Sequence, residues 1–167
     1  ILPIAINKTT KLIPFVNLNS KKYLFKIKWG EQTSTDDSEG EVISYSNKTP
    51  SEEEINQIIS SFLGYQDQVP PKASAVKVNG KRAYAVLREN KNFSLESKKV
   101  FLKSIIFLFS NITTSSFEID CGKGFYVRSL ARDIAYKWGT YGHVVELKRT
   151  KVGQFIEKTS ILLDDIL

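Results

Sequence analysis

Between residues 22 and 29 the chain alternates: Tyr23, Phe25, Ile27 and Trp29 fall on one face, and Lys22, Leu24, Lys26 and Lys28 on the other. A period of two predicts a strand with one buried face. Residues 33–40 are polar and read as a loop, and residues 41–46 as a second strand, so the two strands are expected to form a hairpin-like pair. Ser51-x-x-Glu54 is a capping box, and Ile55, Ile58, Ile59, Phe62 and Leu63 follow at helical spacing until Gly64. Pro70-Pro71 then opens a stretch of weak periodicity, with a turn at Asn79-Gly80 and a short helix at residues 83–89. Residues 100–109 and 117–121 read as strands, and Val127, Leu130, Ala131, Ile134, Ala135 and Trp138 trace an amphipathic helix closed by Gly139. A strand at residues 143–147 and a short helix at residues 160–167 complete the pattern. Strands in mixed order with intervening helices predict an α+β fold with a mixed, mainly antiparallel central sheet flanked by helices.

Composition narrows this. At 167 residues, 41% hydrophobic and 25% charged, the chain has ordinary globular usage and enough length for one domain with a sizeable core. No apolar run is long enough for a membrane helix, and residues 1–6 lack the charged flank of a signal peptide, so a soluble, cytoplasmic protein is expected. One cysteine, Cys121, and one histidine, His143, exclude an internal disulfide framework and leave no cluster for a structural metal. The chain has no methionine and opens on Ile1-Leu2-Pro3-Ile4, which reads as a cut through a structural element.

The net charge of +6 favours a polyanionic partner, and its distribution is uneven. Residues 69–100 hold eight basic side chains (Lys72, Lys77, Lys81, Arg82, Arg88, Lys91, Lys98, Lys99) against Glu89 and Glu96, so this segment carries the whole excess. A solvated face would show the same run of charge. Cys121-Gly-Lys-Gly-Phe-Tyr126-Val-Arg128 joins a strand to a helix, and its glycines allow a sharp turn that presents Tyr126 and Arg128. Gly122-Lys-Gly124 by itself is a weak phosphate-loop signal. Asp36 and Asp37 are adjacent carboxylates, assigned to a turn in preference to acid/base work. His143, on an apolar strand, is assigned a structural role, and Cys121 that of a buried small hydrophobe.

Five motifs occur in an order that resembles the TruB family of tRNA pseudouridine synthases. They are Leu2-Pro3-Ile4-Ala5 with Thr10-Lys11; Lys22-Tyr23 running to Trp29-Gly30; Thr35-Asp36-Asp37-Ser38-Glu39-Gly40; Gln68-Val-Pro-Pro71 with Ser74-Ala75-Val76-Lys77 and Gly80-Lys81-Arg82-Ala83-Tyr84; and Gly124-Phe-Tyr126-Val-Arg128-Ser-Leu-Ala-Arg132-Asp133 followed by Gly142-His143 and Glu146-Leu147-Lys-Arg149-Thr150. The resemblance implies a catalytic domain over residues 1–167, with residues 69–100 as an RNA-gripping thumb ordered by its ligand. It implies that Tyr126 and Arg128 are catalytic-site residues, Arg128 pairing with a nucleophilic aspartate. Tyr23 is then the stacking partner of an extruded uracil, Leu147 lines its pocket, and Lys11 lies near the active site unless it is a plain surface lysine. Lys72, Lys77, Lys81, Arg82 and Arg88 would grip RNA.

In the family the nucleophile belongs to a Gly-x-Leu-Asp-Pro stretch that directly precedes the residues matching Ile1-Leu2-Pro3-Ile4. That stretch and the C-terminal PUA domain are not in this sequence. The chain by itself is therefore expected to be inactive, with Arg128 left without its carboxylate partner. Ala73 stands where an aromatic is expected, so that side-chain contact is lost. The implied reaction converts uridine 55 of the TΨC loop of tRNA to pseudouridine, without metal or organic cofactor, in a protein expected to be a monomer with tRNA as partner. The implied alternatives are a guide-RNA-directed enzyme, which the bacterial-type thumb disfavours, and an RNA-binding protein without catalysis.

Overall fold

The structure, a computed structural model, describes residues 1–89 and 92–162. Its frame is a six-stranded sheet in the order β10-β9-β1-β8-β7-β4, in which every neighbouring pair is antiparallel. The strands are β1 (Lys21–Trp29), β4 (Gly64–Gln68), β7 (Lys98–Ser110), β8 (Thr114–Cys121), β9 (Gly142–Val152) and β10 (Phe155–Ile156). β2 (Glu31–Thr33) pairs with β3 (Val42–Tyr45), and β5 (Lys77–Val78) with β6 (Lys81–Arg82). The helices are α1 (Glu52–Ile59), α2 (Ala83–Arg88) and α3 (Val127–Trp138), with 3-10 turns at Asn7–Phe15, Ser60–Phe62 and Glu157–Thr159.

The period-two face of β1 is the centre of the core. Phe25, Ile27 and Trp29 are buried against Phe117 and Ile119 of β8, with Val100 and Leu102 of β7 beyond them. α1 contributes Ile55 and Ile59 to this cluster and α3 contributes Leu130, Ala131, Ile134 and Ala135, so both helices lie on one face of the sheet. Each fully buried aliphatic or aromatic side chain here contributes about 1.5–3 kcal/mol. The other face is open and charged, with Lys22 paired to Glu118 and Lys26 to Glu146.

Helix boundaries follow their end signals. Ser51 Oγ accepts from Glu54 N–H, and the Glu54 carboxylate accepts from Ser51 N–H, closing the capping box of α1. Gly139 ends α3 in the left-handed region at φ 90°, its N–H returning to the Ala135 and Tyr136 carbonyls.

Three expectations need correction. The hairpin partner of β3 is β2 and not β1, because Gly30 at φ 85° turns the chain between them, and a Cβ there would meet the Ser46 carbonyl oxygen at 2.7 Å. The excursion between β4 and β7 ends at residue 97, since Lys98 already lies in β7. Of the helix expected at residues 160–167, residues 160–162 are irregular and the rest lies outside the described residues.

Candidate functional site

The chain turns from β8 into α3 at Tyr126, and four segments distant in sequence meet there. Gln68, at the end of β4 and buried, donates from Nε2 to the Tyr126 carbonyl (3.1 Å) and accepts from Tyr126 N–H (2.8 Å). Ser129 Oγ and Arg132 Nη2 both donate to the Val69 carbonyl, at 2.8 and 2.9 Å. These bonds fix the root of the 69–97 excursion to the first turns of α3.

Arg128 organises the next layer. Its Nη1 donates to Asp37 Oδ2 at 2.7 Å and to the Thr35 carbonyl at 3.0 Å, and its Nη2 donates to the Ala73 carbonyl at 2.9 Å. One turn further along the helix, Arg132 Nη1 reaches Asp36 Oδ2 at 2.8 Å while Nε reaches Asp133 Oδ1 at 3.0 Å. Positive charge near a helix N-terminus is disfavoured by the helix dipole, so two arginines there call for carboxylate partners. Asp36 and Asp37 supply them from one loop. Burial nevertheless pushes the carboxyls of Asp36 and Asp133 above the usual range, against the pull of Arg132.

Arg128 therefore has a carboxylate partner within this chain, contrary to expectation. Asp36 does occupy a turn, at φ 61°, yet both aspartates also bind α3, which the turn assignment missed. Ala73 contributes its backbone carbonyl to Arg128 whatever its side chain.

Tyr126 is half-buried and lines a cleft of about 700 Å³ whose other wall is the excursion, including Lys77, Asn79, Arg82 and Glu96, with Lys98 at the start of β7. That excursion is ordered as a two-residue hairpin turning at Asn79-Gly80 (φ 48° and 83°), followed by α2. Its charges are partly engaged: Lys81 pairs with Glu89 at 3.0 Å, Arg82 donates to the Ala75 carbonyl at 2.7 Å, and the Arg88 guanidinium sits 5.7 Å over the Tyr84 ring. Lys72 and Lys77 are exposed, and Lys91 lies outside the described residues.

Tyr23 and Leu147 share one sheet face. Tyr23 is paired across β1 and β9 with Arg149, and Phe25 with Leu147. Tyr23 is half-buried, and burial raises its phenol above the usual range, against the pull of Arg149. Leu147 is exposed, ready for an apolar contact. The segment at Ile1 is held beside them, since Arg149 Nε donates to the Ile1 carbonyl at 2.9 Å. Lys11 is exposed on the 3-10 turn, and no hydrogen bond or ion pair ties it to these groups among the described residues. His143 is buried with Nδ1 3.0 Å from the Glu31 carbonyl, a structural bond, and burial pushes the Cys121 thiol up to about 12.

Among the described residues no cluster of His, Cys, Asp and Glu could hold a metal ion, and no helix is long and apolar enough to cross a membrane. Sequence reasoning missed Gln68, Asp36, Asp37 and Arg132. Two arginines four residues apart at a helix start, upstream of which stands an adjacent aspartate pair, was the signal available for three of them.

Residues 1–127 match the N-terminal domain model of TruB family pseudouridylate synthases, and residues 128–167 the C-terminal domain model of tRNA pseudouridylate synthase B. The chain is 46% identical to the tRNA pseudouridine synthase B of Ehrlichia ruminantium (strain Gardel), covering 99% of this chain and 57% of that protein. It is 40% identical to the protein of the same name from Caulobacter sp. (strain K31), covering 99% and 54%. The chain thus spans little more than half the length of these relatives. Among solved structures, a Cbf5-Nop10-Gar1 complex superposes with a TM-score of 0.73 at 25% identity, over 99% of this chain and 40% of that one. An H/ACA ribonucleoprotein bound to a substrate RNA containing 2′-deoxyuridine shares the fold at a TM-score of 0.64 and 20% identity, over 96% and 37%.

Proposed function

The chain belongs to the TruB family of pseudouridylate synthases, and from that premise we propose that it forms the body of an isomerase converting the uridine at position 55 in the TΨC loop of tRNA to pseudouridine. The observation that carries this reading is the assembly at the start of α3. Arg128 is held by Asp37 and by two carbonyls from separate loops, next to Tyr126 on the wall of a basic cleft.

In this reading the uridine leaves the helical stack and its base lies on Tyr23, where an aromatic face replaces the lost stacking. Leu147 supplies an apolar contact. Lys72, Lys77, Lys81, Arg82 and Arg88 attract the RNA backbone over the cleft. The glycosidic bond from N1 breaks and a carbon bond at C5 replaces it, a rearrangement that requires a nucleophile, and Tyr126 assists proton movement. The nucleophile is an aspartate of the family's Gly-x-Leu-Asp-Pro stretch, positioned by Arg128. Asp37 is the competing choice, because it already lies 2.7 Å from that guanidinium.

The experiment compares pseudouridine formation on unmodified tRNA by residues 1–167 and by a chain with the family's aspartate stretch ahead of Ile1. The expected result is turnover only in the longer form. Turnover by residues 1–167 that is lost in Asp37→Asn would move the nucleophile to Asp37. Binding without turnover in either form would favour an RNA-binding role.

A further inference from the structure

Five lysines of the sheet sit beside carboxylates. Lys22, Lys26, Lys28, Lys103 and Lys148 each lie within 4.0 Å of a glutamate or aspartate. Lys98, Lys99 and Lys151 on the sheet have no carboxylate at that distance among the described residues, and neither have three further cations: Lys21 at the start of β1, Lys123 in the turn before α3, and Arg149 on β9. All three line one cavity of about 720 Å³, together with Asn17 and Asn19, and no acidic residue appears among the described residues that line it.

Strand pairing fixes the backbone positions of Lys21 and Arg149 in the sheet, and Lys123 follows in the turn after β8. Lys21 is bracketed by Cys121 on β8 and Val152 on β9, both buried, and is itself half-buried. Its amine lies below the usual lysine range, first through burial, with Cys121 opposing the shift and the charges of Arg149 and Lys123 adding to it. A fold that keeps like charges converging without a counter-ion does so at a cost to stability.

The position gives that cost a use. Lys21 stands two residues before Tyr23 on the same strand, about 6.6 Å away along it, and Arg149 is the cross-strand partner of Tyr23. We propose that Lys21, Lys123 and Arg149 form a cradle for a backbone phosphate of the bound RNA, next to the nucleotide whose base lies on Tyr23. The ligand chemistry is a phosphodiester monoanion, which neutralises part of the cluster, in a cavity that Asn17 and Asn19 also line. This deepens the proposed function and rests on its placement of the base at Tyr23.

The test is a cycle between protein and RNA charges. A TΨC stem-loop is prepared with the phosphate on either side of the target uridine replaced singly by an uncharged methylphosphonate, and each RNA is titrated over a range of salt with the chain and with Lys21→Met. Lys21→Met is expected to weaken binding of the unmodified RNA about tenfold at low salt and to reduce the salt slope by about one. One of the two methylphosphonates should cost the parent chain a similar factor and cost Lys21→Met little. Equal losses in both proteins at both positions would overturn the cradle.

Melting in inorganic phosphate supplies an arm without RNA. Phosphate should raise the Tm of the parent chain and leave Lys21→Met unmoved, and without phosphate Lys21→Met should melt no lower than the parent, because it removes a repulsion. A lower Tm with an unchanged salt slope would make Lys21 a structural lysine and sink the proposal. If phosphate discriminates the two proteins while a scrambled stem-loop binds as well as the TΨC one, the cradle stands and the tRNA reading falls.

Discussion

Gln68 reads both sides of the Tyr126 peptide, accepting from its N–H and donating to its carbonyl. A buried amide used at both ends behaves as a rigid bracket, because neither bond can be remade with water once the side chain is lost. Gln68→Leu leaves two backbone groups unsatisfied and should cost about 1–3 kcal/mol, or several degrees of Tm in a domain of this size. Gln68→Glu keeps the acceptor for the N–H but places a carboxylate against the carbonyl, and should be at least as damaging. Thermal melts of both variants check this; a Gln68→Leu chain as stable as its parent would mean that the bracket carries no load.

Arg128 and Asp37 should behave as a coupled pair. Asp37→Asn keeps a carbonyl oxygen for Arg128 and loses the charge, so its effect on stability should be modest, about 1 kcal/mol, while Arg128→Met should cost about 1–3 kcal/mol through three lost hydrogen bonds. The double variant should cost less than the two losses combined, since each removes the other's partner. Chemical denaturation of the four proteins measures the coupling, and strict additivity would show that the contact contributes nothing.

Charges of the excursion should contribute unequally to RNA binding. Lys81 is already answered by Glu89, whereas Lys77 is exposed on the wall of the Tyr126 cleft. Lys77→Gln should therefore weaken binding of a TΨC stem-loop and flatten its salt dependence more than Lys81→Gln does. Salt titrations of both variants decide this; equal slopes in the two variants and the parent would return these lysines to the solvated-face reading.

The parts of the fold visible in the sequence are those where a local rule and the tertiary environment agree. The alternation in β1 survives because one of its faces is the core, and the capping box of α1 and the glycine after α3 act within a single turn. β4 was not legible: its Gly-Tyr-Gln-Asp-Gln is polar because it is an edge strand, with one buried residue, Gln68, that turns out to be a hydrogen-bonding bracket. β9 was drawn five residues short because Lys148, Arg149 and Lys151 hide its continuation. At the site, the glycine turn presents Tyr126 and Arg128 and the resemblance gives them roles, whereas Gln68 and Asp37, though present in the motifs, carry no sign in the sequence that they hold them. Gln68 lies 58 positions from Tyr126, and Asp37 lies 91 from Arg128, so no spacing rule connects them.

The place of β1 in the sheet also sets a schedule for synthesis. Its two neighbours, β8 and β9, both lie downstream, and β8 begins some 85 residues after β1 ends. At about 5–20 residues per second, a ribosome needs roughly 4–17 seconds to produce the first of them. For that interval Tyr23, Phe25, Ile27 and Trp29 emerge with no sheet to join, a segment of strong strand propensity that could pair with a neighbouring nascent chain. Lys22, Lys26 and Lys28, which on the finished protein merely decorate the open face, interrupt that run at alternate positions and act as gatekeepers against association. Replacing them with uncharged residues would leave the final structure nearly intact and endanger the route to it.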